Sequence, residues 1–431
     1  MKPVHLLVRR CTTLIVSLLA ASLSLAAQAE YTIHRFTPSD GANPLAGLVA
    51  DSAGNLYGTA SVSTGGGGAI FEMSPPASGE PWSYTALYTF NGTTDGDYPW
   101  AALLRDSAGN LYGTTVASGS SCGTVFELAP PVSGGAWSYN VLYSFLGNPD
   151  GCFSAASLIM DTAGNLYGTT ESGGIDNLGT VFELSPPSVA GGAWIESILY
   201  RFGTRGHDGS TPAAAVTLGP GGVLYGTTFY GGANNAGTVF GLHPPSVSGG
   251  AWTERILYSF AGGTGGRNPG SSVVFHSNGH LYGTTADSVE NVNCGGVPPC
   301  GRVYELSPPA VSGGAWTYST LWAFTGGSDG ANPYDSVTFD QRGNLYGTTA
   351  FGGVGGGTVF ELSPPATVGD PWTETTLYQF TFGGDGTRPW GDVIFGKGGL
   401  LYGTTFTDGS KKGCSTTFGD GGCGTIFELK P

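Results

Sequence analysis

The tetrapeptide Leu-Tyr-Gly-Thr occurs seven times in this chain, with its tyrosine at Tyr57, Tyr112, Tyr167, Tyr225, Tyr282, Tyr346 and Tyr402, at intervals of 55, 55, 58, 57, 64 and 56 residues. A unit of that length, holding several short strand signals, cannot bury both of its faces alone, whereas a ring of such units can. The period therefore predicts an all-β chain, a seven-bladed β-propeller of four-stranded antiparallel blades.

Glycine and proline supply 76 and 27 of the 431 residues, a content that borders on low complexity. Their fixed phase argues for order. They recur beside aromatic and β-branched residues, as turns between short strands do. In the second repeat the pattern predicts strand A at 101–105, a turn Asp106-Ser107-Ala108-Gly109, strand B at 110–115, a glycine-rich loop, strand C at 123–129 and strand D at 137–145. Strand D alternates, with Trp137, Tyr139, Val141, Tyr143 and Phe145 on one face and Ser138, Asn140, Leu142 and Ser144 on the other. A glycine inside a strand weakens it, so the recurring glycine of LYGT, Gly168 in the third repeat, predicts close approach by an aromatic side chain of the neighbouring blade.

The chain ends carry the closure argument. Residues 31–36 (YTIHRF) have the phase of a strand D, and the last repeat stops after its strand C at 424–430. The N-terminal strand is thus expected to complete the last blade, leaving one domain over residues 30–431 with no linker. Ahead of it, residues 1–29 read as a signal peptide: Lys2, Arg9 and Arg10 precede an apolar stretch from Leu14 to Ala27 and the small-residue site Ala27-Gln28-Ala29. No later run reaches the roughly 18 apolar residues of a spanning helix, so the mature chain is expected to be exported, extracellular or periplasmic, without a membrane span, and monomeric. Removing the leader leaves 13 Lys and Arg against 31 Asp and Glu, a net charge of −18. Such a surface repels nucleic acid and anionic bilayers.

The full unit, read as LYxFxGGxDGxxP, GNLYGTTxxGG, GTVFELSPP and GGAW, resembles the bacterial choice-of-anchor tandem repeat proteins with GloVer-type repeats. The likeness spans nearly all of the mature chain and rests on GTVFEL at 123–128, 179–184 and 357–362 and on GNLYGTT from 109, 164 and 343. It implies an exported, surface-related, non-catalytic repeat protein. Relatives carry C-terminal sorting signals, whereas this sequence ends at Lys430-Pro431, so attachment to the cell is left unassigned. The strand order also resembles other propellers in which strand A lines a central channel and the D-to-A and B-to-C loops share one rim. In that geometry the six mature cysteines all fall on one rim, which implies bridges Cys122–Cys152, Cys294–Cys300 and Cys414–Cys423.

The D-to-A loops repeat an Asp-Gly pair at Asp40, Asp95, Asp150, Asp208, Asp329 and Asp385, with Gly265 in the fifth repeat. A ring of carboxylates suits calcium or a cationic ligand. Asp-Gly is also a favoured turn, in which the aspartate caps its own backbone, and this second reading is preferred; no cofactor other than calcium is suggested. Strand C repeats Glu72, Glu127, Glu183, Glu305, Glu361 and Glu428, with Gly241 as the exception, and these read as partners of neighbouring hydroxyls or as solvated outer charges.

Function is expected where the repeats differ. Trp100, Tyr334 and Trp390 follow the proline of three D-to-A loops, where other repeats carry Leu45, Ala213 and Gly270. Together with Asp95, Asp97, Asp208, Asp385 and His207 they form a candidate platform for a glycan or protein ligand, against the plainer reading of packing at the start of strand A. The long loops from Asp287 to Gly301 and from Asp408 to Gly424 break the symmetry most strongly. The mature histidines, His34, His207, His243, His276 and His280, form no catalytic motif. The leading expectation is a rigid, non-catalytic binding scaffold. The alternatives are a polysaccharide lyase or hydrolase using Asp95, Asp97 or Asp385 with His207, and a structural surface or matrix component.

Overall fold

The computed structural model describes residues 30–431 apart from loop segments at 63–65, 78–79, 119–121, 133, 190, 205, 248, 287–299, 312, 368, 410–413 and 415–421. The leader assigned to residues 1–29, Cys294 and most of the two long loops lie outside the described residues. Among the described residues, seven four-stranded antiparallel sheets each run in the order A-B-C-D. Blade 3 shows the unit: Ile159–Met160, Leu166–Thr170, Thr180–Ser185 and Ile195–Arg201. Blade 7 takes Ile394–Phe395, Leu401–Thr405 and Thr425–Leu429 from the end of the chain and its outer strand, Glu30–Arg35, from the beginning. Glu30 lies opposite Leu429 and Arg35 opposite Thr425, so the ring closes as the strand phase predicts. Among the described residues no helix is long and apolar enough to cross a membrane.

The innermost strand is shorter than the pattern predicts. In blade 2 only Leu104–Arg105 pairs with strand B, and Ala101 at the start of the strand meets the preceding blade instead. The threonine of LYGT makes that link. Its hydroxyl donates to a carbonyl at the start of strand A in the following blade: Thr59 to Ala101 at 3.1 Å, Thr114 to Ala156 at 3.1 Å, Thr169 to Ala214 at 3.0 Å and Thr227 to Ser271 at 2.8 Å. The series continues with Thr284 to Asp335 at 3.0 Å, Thr348 to Gly391 at 2.9 Å and, across the closure, Thr404 to Ala46 at 2.9 Å. A belt of seven hydrogen bonds thus encircles the channel.

The LYGT glycine is crowded, but from its own sheet. A Cβ at Gly168 would lie 2.5 Å from Cζ of Phe182 on strand C and 2.9 Å from Cδ2 of Leu158 beside strand A. This corrects the expectation of an aromatic from the adjacent blade. Phe182 lies across the ladder from Gly168, and its ring folds back over the backbone that the glycine leaves bare. Strand D also departs from simple alternation. Every blade has a register shift there; in blade 2, Phe126 pairs with Val141 but Val125 pairs with Tyr143. The bulged residue, Leu142, turns inward onto the core while Val141 is 40% exposed.

Two substitutions test these contacts. Gly168→Val is expected to lower stability by roughly 1–3 kcal/mol through overpacking against Phe182. Thr404→Val is expected to cost about 1–3 kcal/mol, because the buried Ala46 carbonyl loses its donor. Urea unfolding of each variant measures the loss, and a midpoint equal to that of the parent would contradict the assignment.

Candidate functional site

The loops at one end of the blades form a continuous rim. D-to-A loops pair with B-to-C loops through short ladders: Asp97 with Ala117, Gly151 with Gly173, Gly209 with Gly231, Ala331 with Phe351 and Thr387 with Thr407. Cys122 and Cys152 bridge blades 2 and 3 on this rim with a 2.05 Å bond, as implied. Cys414 and Cys423 form the second bridge, within the B-to-C loop of blade 7. Cys300 is also disulfide-bonded.

The recurring aspartates are held by their own loops. Asp95 accepts from the Asn91 amide at 3.0 Å and the Tyr88 hydroxyl at 2.8 Å, and Asp150 accepts from Leu146 at 2.9 Å and Tyr143 at 3.0 Å. Asp208 takes the Gly203 amide at 3.0 Å and Tyr200 at 2.9 Å, and Asp385 takes Thr381 at 2.9 Å and Tyr378 at 2.8 Å. Asp329 caps Thr325, and Asp40 caps Thr37 while meeting His34 Nε2 at 3.0 Å. Four of the six reach a tyrosine of the outer strand D, so these carboxylates sit at the outer radius of the rim. The strand C glutamates serve neighbouring hydroxyls: Glu127 lies 3.0 Å from Tyr112 Oη, Glu305 2.8 Å from Tyr282 Oη and Glu428 3.0 Å from Tyr402 Oη. The described residues contain no cluster of three or more His, Cys, Asp or Glu arranged for a metal ion. Because the loop oxygens already accept hydrogen bonds, added calcium or EDTA is expected to leave the melting temperature unchanged; a calcium-dependent rise would reassign the rim carboxylates.

The aromatic candidates lie at the inner radius. A cavity of about 350 Å³ occupies the channel and is lined at its mouth by Leu45, Trp100, Ala155, Ala213, Gly270 and Tyr334, one from each of six blades. Tyr334 meets Trp390 with ring centroids 6.2 Å apart, and Trp390 stacks on Phe406 at 4.5 Å. Trp100 stands apart from that pair, edge-on to Phe153 at 5.5 Å. Asp97 lies beside Asp95. Its Oδ1 is buried without a hydrogen-bond partner among the described residues, and burial first, then the charge of Asp95, raises its pKa. His207 is exposed, next to Asp208 in the loop entering blade 4.

Each D-to-A loop reaches strand A through a left-handed residue. These are Asn43, Tyr98, Phe153, Thr211, Asn268, Asn332 and Arg388, with φ between 55° and 66°. Asparagine tolerates that conformation, whereas a bulky or β-branched residue is strained in it. Thr211→Asn is therefore expected to stabilise the chain by on the order of 1 kcal/mol, read as a higher melting temperature.

Two carboxyl groups inside the channel escape a reading centred on the residue after proline. Asp335 and Asp392 both line the cavity. Asp335 accepts from the Asp392 amide at 3.0 Å and the Ser336 amide at 2.7 Å. The Asp392 carboxylate packs against Gly47, where a Cβ would fall 1.6 Å from Oδ1, so glycine alone fits there. The signal was present in the columns two and three places after the proline position. Other repeats hold Ala46, Ala101, Ala156, Ala214 and Ser271 in the first, and Gly47, Ala102, Ser157, Ala215 and Ser272 in the second.

Burial raises the pKa of both acids, and the charge of Asp335 raises Asp392 further. At the rim, burial pushes Glu171 up to about 7 from an ordinary 4.5. Folding thus retains protons that the unfolded chain has released, so stability falls as pH rises through the window from 4.5 to about 7. Glu171→Gln and Asp392→Asn are each expected to stabilise the chain by on the order of 1–2 kcal/mol near pH 8 and to change little near pH 4, as thermal melts across that range measure.

The sequence profile of the Gloeobacter/Verrucomicrobia repeat matches residues 21–240 and 188–418. No curated protein matches the chain. Among solved structures, a putative 6-phosphogluconolactonase from Bacteroides uniformis is 15% identical, covers 84% of this chain and 89% of its own, and has a TM-score of 0.47. A protein of unknown function from Dyadobacter fermentans is 13% identical over 80% of this chain and 96% of its own, with a TM-score of 0.42. A glucose dehydrogenase is 12% identical over 94% and 99%, with a TM-score of 0.39. At such identities and scores none of the three bears on what this chain binds.

Proposed function

This chain belongs to the Gloeobacter/Verrucomicrobia repeat family, and we propose that it is an exported, rigid propeller that binds a glycan at its loop rim, over the channel mouth, without chemistry of its own. The observation that carries the reading is the uneven distribution of rings at equivalent positions. Trp100, Tyr334 and Trp390 stand where the other repeats carry small or aliphatic residues, and all three are half-buried rather than sealed in the core. Flat aromatic faces beside hydrogen-bonding groups suit the C–H faces and hydroxyls of sugar rings. Asp335 and Asp392 supply acceptors below the mouth, and Asp97 and His207 lie on the surrounding rim. In this reading Asp95, Asp208 and Asp385 shape the loops. The paired cysteines and the acidic surface fit an oxidising, extracytoplasmic setting.

The test is a glycan panel followed by thermal shift and by product release. At least one glycan is expected to raise the melting temperature without turnover, and Trp100→Ala is expected to weaken it by about tenfold. Binding indifferent to Trp100→Ala, or no shift with any glycan, would overturn the proposal. The Asp335 and Asp392 pair favours a second reading, a polysaccharide lyase or hydrolase. Two carboxyl groups whose environment retains a proton provide an acid beside a base. Product release that Asp392→Asn abolishes would establish it.

A further inference from the structure

Six blade seams carry a tryptophan on the rim opposite the channel mouth. Trp82, Trp137, Trp194, Trp252, Trp316 and Trp372 each stand just ahead of an outer strand D, and each lies in the core cluster that holds the LYGT tyrosine of the preceding blade. Trp137 meets Tyr57 at 6.3 Å between centroids and 60° between planes, Trp316 meets Tyr225 at 6.2 Å and 64°, and Trp82 meets Tyr402 at 5.8 Å and 67°. Trp194, Trp252 and Trp372 join the clusters built on Tyr112, Tyr167 and Tyr282. An edge-to-face arrangement is therefore seen at three seams, and the same tryptophan and tyrosine columns meet in one cluster at the other three.

Tyr346 is the exception. Among the described residues its cluster holds no tryptophan, and its ring partner is Phe395 of the next blade, 5.1 Å away. Tyr346 is buried, and a groove opens beside this pair. The cause is the closure of the ring. Glu30 faces Leu429 in the register in which Tyr84 faces Met73 and Glu374 faces Leu362, which puts the tryptophan column at residue 28. Residue 28 is a glutamine, and residues 1–29 contain no Phe, Tyr or Trp. That segment cannot supply the missing ring. A groove of about 670 Å³ opens at this seam, lined by Phe339, Tyr346, Glu361, Phe395 and Pro431. At the adjoining seam, where Trp82 forms part of the wall, the corresponding groove measures about 380 Å³.

We infer that the groove between blades 6 and 7 is a binding site for a tryptophan side chain presented by another polypeptide, seated as the six built-in tryptophans are. Pseudosymmetry names the ligand chemistry, since the same tyrosine floor accepts indole at every other seam. The local sequences Gly-Gly-Ala-Trp and Pro-Trp indicate an extended segment with small residues ahead of the ring. Asp340 and Glu361 outnumber Arg342 on the walls, and the mature chain is strongly acidic, so a basic residue beside the tryptophan complements the site.

The experiment titrates the mature chain, from Glu30 onward, with the labelled peptide Gly-Gly-Ala-Trp-Thr-Lys and with its Trp→Ala counterpart. The tryptophan peptide is expected to bind at least about tenfold more tightly. A chain that begins at residue 27 and carries Gln28→Trp fills the groove in cis, so it is expected to melt higher and to lose the peptide. Phe395→Ala is the second variant, expected to stay folded by its melt and to weaken the peptide by about tenfold. Trp100→Ala, on the other rim, should leave binding unchanged. Equal affinity for the two peptides, no binding of either, full binding by the Gln28→Trp chain, or unchanged affinity in Phe395→Ala would each overturn the inference. So would a glycan that occupies this groove while the peptide does not.

Discussion

Seven threonine hydroxyls donating to seven carbonyls make the ring a closed circuit, and the channel has a defined shape because of it. A buried hydrogen bond of this kind contributes about 1 kcal/mol net, and leaving its carbonyl unpaired costs more. Around a closed ring no blade can shift without disturbing two such bonds. The belt also explains the motif. In Leu-Tyr-Gly-Thr the leucine packs in the core shared with the preceding blade, the tyrosine packs under the next blade, the glycine admits its own sheet's phenylalanine, and the threonine links to the following strand A. Four consecutive residues thus do four different jobs, and none of the jobs tolerates a change of register.

Period and phase are what made the architecture legible. Blade number and closure by Glu30–Arg35 follow from local patterns that repeat, so each blade corroborates the others, whereas the shared loop rim was implied by the resemblance to other propellers. The failures came where a pattern records that something is present but not its direction. Gly168 announces a close neighbour, yet nothing in the string distinguishes Phe182 across the same sheet from an aromatic in the next one. The run Trp137 to Phe145 reads as strict alternation, but a bulge at Leu142 inserts one residue and moves Val141 to the outside. Asp335 and Asp392 went unread because they lie in different columns, so neither forms a repeat and each looks like an isolated acid.

The rim divides by radius. Carboxylates that recur are tied to the outer strand and to their own loop amides, which is the use expected of a residue needed in every blade. Side chains that occur once or twice lie at the inner radius, around the channel. Backbone strain follows the same division. Asn43, Asn268 and Asn332 occupy left-handed positions that suit them, while Tyr98, Phe153 and Arg388 occupy equivalent positions at a cost. Tyr98 and Phe153 flank Trp100, and Arg388 lies over Phe351 with its charge toward Tyr334. Three of the four strained side chains thus lie near the aromatic mouth, and Thr211 is the fourth.

Several departures from symmetry in this ring lie around the blade built from both ends of the chain. Asp392 of blade 7 requires Gly47 of blade 1, since any side chain there would collide with its carboxylate. A departure in one blade therefore demands a matching departure across the seam. Tyr334, Asp335, Trp390 and the groove that lacks its tryptophan all belong to blades 6 and 7. In the interior of the repeat array every blade must present the same surface to both neighbours, which limits what it can carry. Blade 7 joins strands that are nearly 400 residues apart in sequence, and the sequence ahead of its outer strand carries Gln28 in the column that holds a tryptophan in the other blades. The constraint that closes the ring thus also relaxes its symmetry at one place, leaving an open groove on one rim and a carboxyl pair in the channel.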